Sequence, residues 1–231
     1  MRSHENRYRE KIFLRNVLRR ADFQNTASWQ LGQEQLDFLI AAGLNKDWVM
    51  ADIGCGPLRL GCRAVEYLEG GHYYGLDINA DALELGKGIL ARLNVTGDNY
   101  TLVATDSFDF GGLSRPLDVA FSNSLFSHLS EDRIRLCLAN LRDHLKPGAS
   151  YYSTLFLLDD EAPLEMRHRW PYRGKVITTK PDRNPFHYRP GDIRALATAA
   201  GYAMEIVAAY HPIQTMVKFT KQNPDAGRNV E

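Results

Sequence analysis

WVMADIGCGP, residues 48–57, is the stretch that decides the fold. Its first half is apolar and ends in a carboxylate, Asp52; its second half sets Gly54 and Gly56 before a helical stretch at Leu60–Glu69. A strand that breaks into glycines ahead of a helix is a turn through which the backbone can approach a ligand. The next apolar run, HYYGLDI (72–78), also ends in an acid, and Asp77 at a strand end can accept both hydroxyls of a ribose.

Working outward, YTLVAT (100–105), PLDVAFS (116–122) and SYYSTLFLL (150–158) are further short apolar runs that predict buried strands. Helical stretches fall between them at Ala80–Leu93 and Glu131–Leu145. The second has Ser130 as N-cap, Glu131 and Asp132 in its first turn, His144 and Lys146 near its end, and then Pro147-Gly148. Gln33–Ala42 predicts a helix with Leu36, Leu39 and Ile40 on one face and Gly43 as its stop. Strands alternating with helices imply an α/β fold with a parallel sheet. After residue 158 the alternation gives way to a segment rich in Pro, Arg and aromatics, where only VITT (176–179) resembles a strand. A segment of that length inside a compact domain predicts a lid-like insertion at 159–190. A helix at Asp192–Ala200 follows, then two strand-like runs, Tyr202–Tyr210 and Ile213–Thr220, joined tightly at His211-Pro212.

With 231 residues, 44% of them hydrophobic, one domain over 1–231 is expected, carrying an N-terminal helical arm at 1–45. No signal-like or membrane-spanning run is present, and Cys55, Cys62 and Cys137 lack paired spacing, so a cytoplasmic protein without disulfides or a thiolate metal site is predicted. The formal net charge is zero, which gives no overall pull toward a polyanion and makes nucleic acid an unexpected partner. The charge is unevenly spread, however. Residues 1–20 hold seven Arg or Lys against Glu5 and Glu10, and residues 163–190 hold seven against Glu165 and Asp182.

The glycine turn and Asp77 suit NAD and S-adenosylmethionine (SAM) alike. Two residues separate them. The third glycine of a dinucleotide fingerprint would fall at Arg59, whose long side chain obstructs close helix packing. Asp52 would repel a pyrophosphate and attract the amino group and sulfonium of SAM, by roughly 3 kcal/mol at about 5 Å and an effective dielectric near 20. From Trp48 to about Thr220 the chain resembles the class I SAM-dependent methyltransferases: VMADIGCG matches their glycine-rich motif, Asp77 their second-strand acid, Leu145-Lys146-Pro147-Gly148 their Lys-Pro-Gly turn after the fifth strand, and residues 202–220 their C-terminal hairpin. The resemblance implies a Rossmann-like, mostly parallel seven-stranded sheet with helices on both faces, SAM as cofactor and S-adenosylhomocysteine (SAH) as product. It also implies a cofactor site of Asp52, Gly54, Cys55, Gly56, Arg59, Asp77, Ile78, Asp106, Ser107, Ser122 and Asn123, with Asp106 near the adenine and Ser122 and Asn123 facing the methionine end. Leu58 stands where the family often has a further glycine.

The sulfonium supplies the activation, so the protein has to align a nucleophile and, if required, take its proton. His128, in SNSLFSHLS after the fourth strand, is the candidate base. SNSLF replaces the Asp/Asn-Pro-Pro-aromatic motif of nucleobase amino-methyltransferases, and Asn184-Pro185-Phe186 lies too far downstream to serve as it. No ligand spacing indicates a metal. The expected reaction is methyl transfer to a small, anionic acceptor. Arg167, Arg169 and Arg173 would hold the charge, and Trp170, Tyr172, His187 and Tyr188 would line the pocket. The alternatives are an RNA or protein methyltransferase and a non-catalytic SAM-binding regulator.

Overall fold

A computed structural model describes residues 27–207 and 211–223, so the basic run at 1–20 lies outside the described residues. The elements are α1 (Ala27–Ala41), β1 (Met50–Ile53), α2 (Gly61–Tyr67), β2 (Tyr73–Asp77), α3 (Ala80–Arg92), β3 (Tyr100–Ala104), β4 (Leu117–Ser122), α4 (Glu131–Arg142), β5 (Leu145–Leu155), β6 (His168–Tyr172), β7 (Lys175–Thr179), α5 (Pro190–Ala199), β8 (Tyr202–Val207) and β9 (Thr215–Lys221). Seven strands form one sheet in the order β3-β2-β1-β4-β5-β9-β8, and β6-β7 form a separate pair. The sheet is Rossmann-like and mostly parallel, with an antiparallel hairpin at its C-terminal edge. Among the described residues no helix is long and apolar enough to cross a membrane.

The chain divides into two compact units, one of residues up to Asp47 with Cys55–Ala104, the other of Trp48–Gly54 with Thr105 onward. In the first, Trp29, Leu36 and Leu39 of α1 are buried at helical spacing, whereas Ile40 is exposed. Only the stripe through Trp29 faces inward, and Ile40 falls a full residue outside it. Gly43 at φ 105 stops the helix as expected: its N–H reaches Ile40 O at 3.0 Å and the Leu44 N–H reaches Leu39 O at 2.9 Å, a Schellman cap. β2 and β3 pair in parallel, Asp77 opposite Ala104.

In the second unit β1, β4 and β5 run parallel and β9 closes antiparallel on β5. Four departures from the sequence expectation have physical reasons. β5 begins at Leu145, because the Lys-Pro-Gly turn is absorbed as a bulge: Leu117 pairs with Leu145 but Val119 with Ser150, and Gly148 takes φ 75. α4 ends at Arg142, before His144, and the Ser130 side chain makes no capping bond although its carbonyl starts the helix. The C-terminal strands stop at Val207 and resume at Thr215, so their connection is not tight; His211 Nδ1 accepts the Ile213 and Gln214 N–H groups and makes a turn of its own. Finally, HRWPY forms strand β6, paired with β7 through a two-residue turn in which Arg173 and Gly174 take φ 47 and 72. Pro171 disguises this strand in the sequence, but a two-stranded ribbon tolerates it.

Candidate active site

In the first unit the glycine loop is built around Asp77. The Cys55 N–H donates to Leu76 O at 3.1 Å, tying the loop to β2. The Gly56 N–H donates to Asp77 Oδ2 and the Asn79 N–H to Asp77 Oδ1, each at 2.8 Å. Asn79 in turn caps α3, its Oδ1 accepting from the Asp81 N–H. Each Asp77 oxygen is thus fixed by a backbone amide. Gly56 sits at φ 54, and among the described residues nothing lies within 4 Å of where a Cβ would stand, so they leave a cradle open beside the carboxylate. Ile78, next along, is 63% exposed. Cys55 is buried with its Sγ over Gly75, which leaves its backbone to line the loop.

Leu58 holds φ 64, the left-handed turn a glycine would adopt, and its side chain is fully buried. The turn expected of the family's glycine is therefore kept, with room made by two other glycines: a Cβ on Gly86 would lie 2.5 Å from Leu58 Cγ and one on Gly61 3.0 Å from Leu58 Cβ. Arg59 is half-buried, and its carbonyl meets α1 backbone to backbone, since a Cβ on Gly32 would be 2.1 Å away.

In the second unit Asp52 is buried at the end of β1, opposite Phe121. Gly54 follows at φ 74, close against Leu125. β1 and β4 are neighbours in the strand order at the point where it reverses, the place where open α/β sheets bind ligands. Ser122 is fully buried and does not face a ligand as expected: the Tyr151 hydroxyl donates to it at 2.7 Å and it donates to Ser153 at 2.8 Å. The alternation of β4 turns its side chain into the sheet, and burial pushes the Tyr151 hydroxyl well above its usual range. Asn123 is half-buried and donates to Ser124 Oγ at 3.3 Å.

A polar lock that sequence reasoning missed surrounds Ser124, which takes φ 62. Its N–H donates to Thr154 Oγ1 at 2.6 Å and its hydroxyl to Gln214 Oε1 at 2.9 Å; the Ser127 hydroxyl donates to Ser124 O at 2.7 Å. Gln214, buried just before β9, carries no periodic signal that would reveal it. Asp106 and Ser107 are exposed after β3, and their carbonyls accept from Arg133 and from Asn140. His128 is exposed on the short turn Phe126–His128, with Nδ1 2.6 Å from Asn184 Oδ1.

The insertion corrects the expected acceptor pocket. β-alternation puts Trp170 and Tyr172 on one face of the β6–β7 hairpin and the exposed Arg169 on the other, while the exposed Arg167 precedes the strand. An apolar bed interleaved with the Arg169 guanidinium is therefore not formed. Trp170 packs on Phe156 with ring centroids 5.1 Å apart, and its indole N–H donates to Thr179 Oγ1. Arg173, at the turn, does stand over an aromatic, 5.3 Å from the Tyr172 ring, which lies 5.5 Å from His211. His187 and Tyr188 are structural rather than pocket-lining. His187 is buried, Nε2 donating to Leu164 O at 2.9 Å and Nδ1 accepting from the Thr179 hydroxyl at 2.8 Å. Burial lowers its pKa and keeps it neutral, so both ring nitrogens are spent. The Tyr188 hydroxyl donates to Leu129 O, and burial raises its pKa. Among the described residues no group of three or more His, Cys, Asp or Glu is placed to hold a metal.

Residues 51–151 match the family model described as a methyltransferase domain. Among solved structures, a SAM-dependent methyltransferase from Clostridium acetobutylicum is similar at a TM-score of 0.65 and 11% identity, covering 94% of this chain and 99% of that one. The magnesium protoporphyrin IX methyltransferase of Synechocystis, solved with bound SAM, aligns at 0.57 and 13% over 92% and 97%. A glycopeptide N-methyltransferase complexed with SAM aligns at 0.58 and 18% over 83% and 94%. At these identities the structures establish a shared fold, and the matched domain covers the glycine loop, Asp77 and strands β1 to β4. Residues 51–151 thus form a methyltransferase domain, and the chain shares the fold of these SAM-dependent methyltransferases.

Proposed function

We propose that this protein transfers the methyl group of SAM to a small-molecule acceptor that carries an anionic group, releasing SAH. The observation that carries the reading is the Asp77 clamp, a carboxylate held by the Gly56 and Asn79 amides beside an open glycine cradle. Within the first unit, Asp77 accepts the ribose hydroxyls and the exposed Ile78 offers an apolar face to the adenine. Within the second unit, Asp52 attracts the amino group and Asn123, with the Gly54 backbone, serves the methionine end, while Asp106 and Ser107 are the residues that the family resemblance assigns to the adenine. Bound SAM supplies the activated methyl group; His128 takes the acceptor's proton where one must leave. The 159–190 insertion walls the acceptor side. Arg173 meets the acceptor's anionic group there, because its guanidinium stands over the Tyr172 ring whereas Arg169 lies on the opposite face of β6.

Calorimetric titration with SAM and with NAD tests the cofactor. SAM is expected to bind and NAD not. Asp77→Ala should weaken SAM at least about tenfold, the loss of charge-assisted hydrogen bonds, in a protein that still folds. Unchanged affinity in that folded variant rules the clamp out. A thermal-shift screen of metabolites in the presence of SAH then identifies the acceptor.

A further inference from the structure

We propose that Asn184 is a positioning residue that holds His128 as the Nδ1–H tautomer and so leaves the Nε2 lone pair turned to the acceptor; this rests on the reading of His128 as the base. An amide oxygen can only accept, so the 2.6 Å contact requires His128 Nδ1 to carry the proton and donate it to Asn184 Oδ1. In a neutral imidazole the other nitrogen is then the acceptor, the form a general base needs. His128 is exposed, so that nitrogen is not committed to the core.

Both partners are held by backbone rather than by chance contact of surface side chains. The His128 N–H donates to Leu125 O at 2.9 Å, closing its short turn, and Ser127 beside it is buried. The Phe186 N–H donates to Ser127 O at 2.7 Å, and the Lys180 N–H donates to Pro185 O at 2.9 Å. Asn184 therefore approaches His128 on a segment stitched to the imidazole's own turn. The pairing follows the base-and-orienter logic of catalytic triads, with an uncharged orienter that sets the tautomer without adding a charge. In free imidazole the Nε2–H form is favoured, so Asn184 works against the intrinsic preference.

Nitrogen-15 imidazole spectra of the full chain with SAH, at a pH where the ring is neutral, read the tautomer directly. His128→Gln assigns the signal among the seven histidines. The expected parent spectrum shows His128 as Nδ1–H. Asn184→Leu should shift the Nδ1–H to Nε2–H ratio by about tenfold, the weight of one hydrogen bond, with SAH affinity unchanged. Asn184→Asp, which keeps an acceptor oxygen, should retain the parent form. A parent already in the Nε2–H form, or equal ratios in the parent and Asn184→Leu, overturns the proposal. Failure of the methyltransferase reading is a different observation, a parent that binds neither SAM nor SAH.

Discussion

Leu58 shows how one residue can break a motif and keep its geometry. A left-handed backbone costs a non-glycine residue about 1–2 kcal/mol, and full burial of a leucine side chain returns about 1.5–3 kcal/mol. Gly86 and Gly61 make that burial possible by leaving room where a Cβ would collide. Truncation should therefore run against the usual order. Leu58→Gly loses the packing but sheds the strain, whereas Leu58→Ala loses the packing and keeps the strain. Urea denaturation is expected to rank the parent above the glycine variant, and the glycine variant above the alanine variant by roughly 1 kcal/mol. An alanine variant as stable as the parent would show that the side chain does not offset the turn. The motif's presence was readable in the sequence because Gly54, Gly56 and Asp77 each answer a separate demand of the ligand. The conformation of Leu58 was not, since propensity alone places leucine in an ordinary helical or extended backbone.

At the scale of elements, legibility followed local periodicity. β1 to β4, α2 and α3 lie within a few residues of their expected places because each is a short apolar run or amphipathic stretch bounded by clear stops. Where long-range pairing decided the outcome, local signals failed. β5 extends back through Pro147-Gly148 because Leu145 still finds Leu117. β6 exists because β7 supplies its hydrogen bonds, with Pro171 inside it. The Ser124, Ser127 and Gln214 lock joins positions distant in the chain, which no window could reveal. The proposed function also sets Arg173, in the hairpin turn, apart from Arg167 and Arg169. For the acceptor found with SAH, Arg173→Gln should raise KM about tenfold, the loss of one charge-assisted contact. Arg167→Gln and Arg169→Gln should leave KM within about twofold, as surface charges do. Equal effects from all three would return the arginines to one shared field.

The hairpin is also anchored by a neutral histidine, which couples the fold to pH. The folded His187 has its pKa below the unfolded value of 6.5, and burial lowers His211 in the same way. Between the folded and unfolded pKa values the unfolded chain binds more protons, so the stability contributed by these rings is full above about pH 6.5 and is lost as the pH falls through that window. Melting temperature should therefore drop on acidification from pH 7 toward pH 5, and less steeply in His187→Gln. A parallel slope in that variant would remove His187 as a source of the dependence.

Across the whole molecule, the thiols report on the two units separately. Cys62 lies in the first unit and Cys137 in the second; both are buried, and burial raises each pKa to about 12. The thiolate is the reacting species, so neither should be alkylated by iodoacetamide in native buffer. Peptide mapping along a urea gradient is expected to show each labelled only as its unit unfolds. Labelling of either at the rate of a free thiol in native buffer would contradict the burial. The 159–190 insertion, finally, is bridged where it leaves and re-enters the second unit. The Tyr188 N–H donates to Phe156 O and the Leu158 N–H to Tyr188 O, each at 2.9 Å. The segment between them is held a second time at Ser127, whose carbonyl accepts the Phe186 N–H at 2.7 Å. On the proposed function, a graft meant to alter acceptor choice would therefore have to carry both anchors, residues 157–188 together with the Phe126–His128 turn.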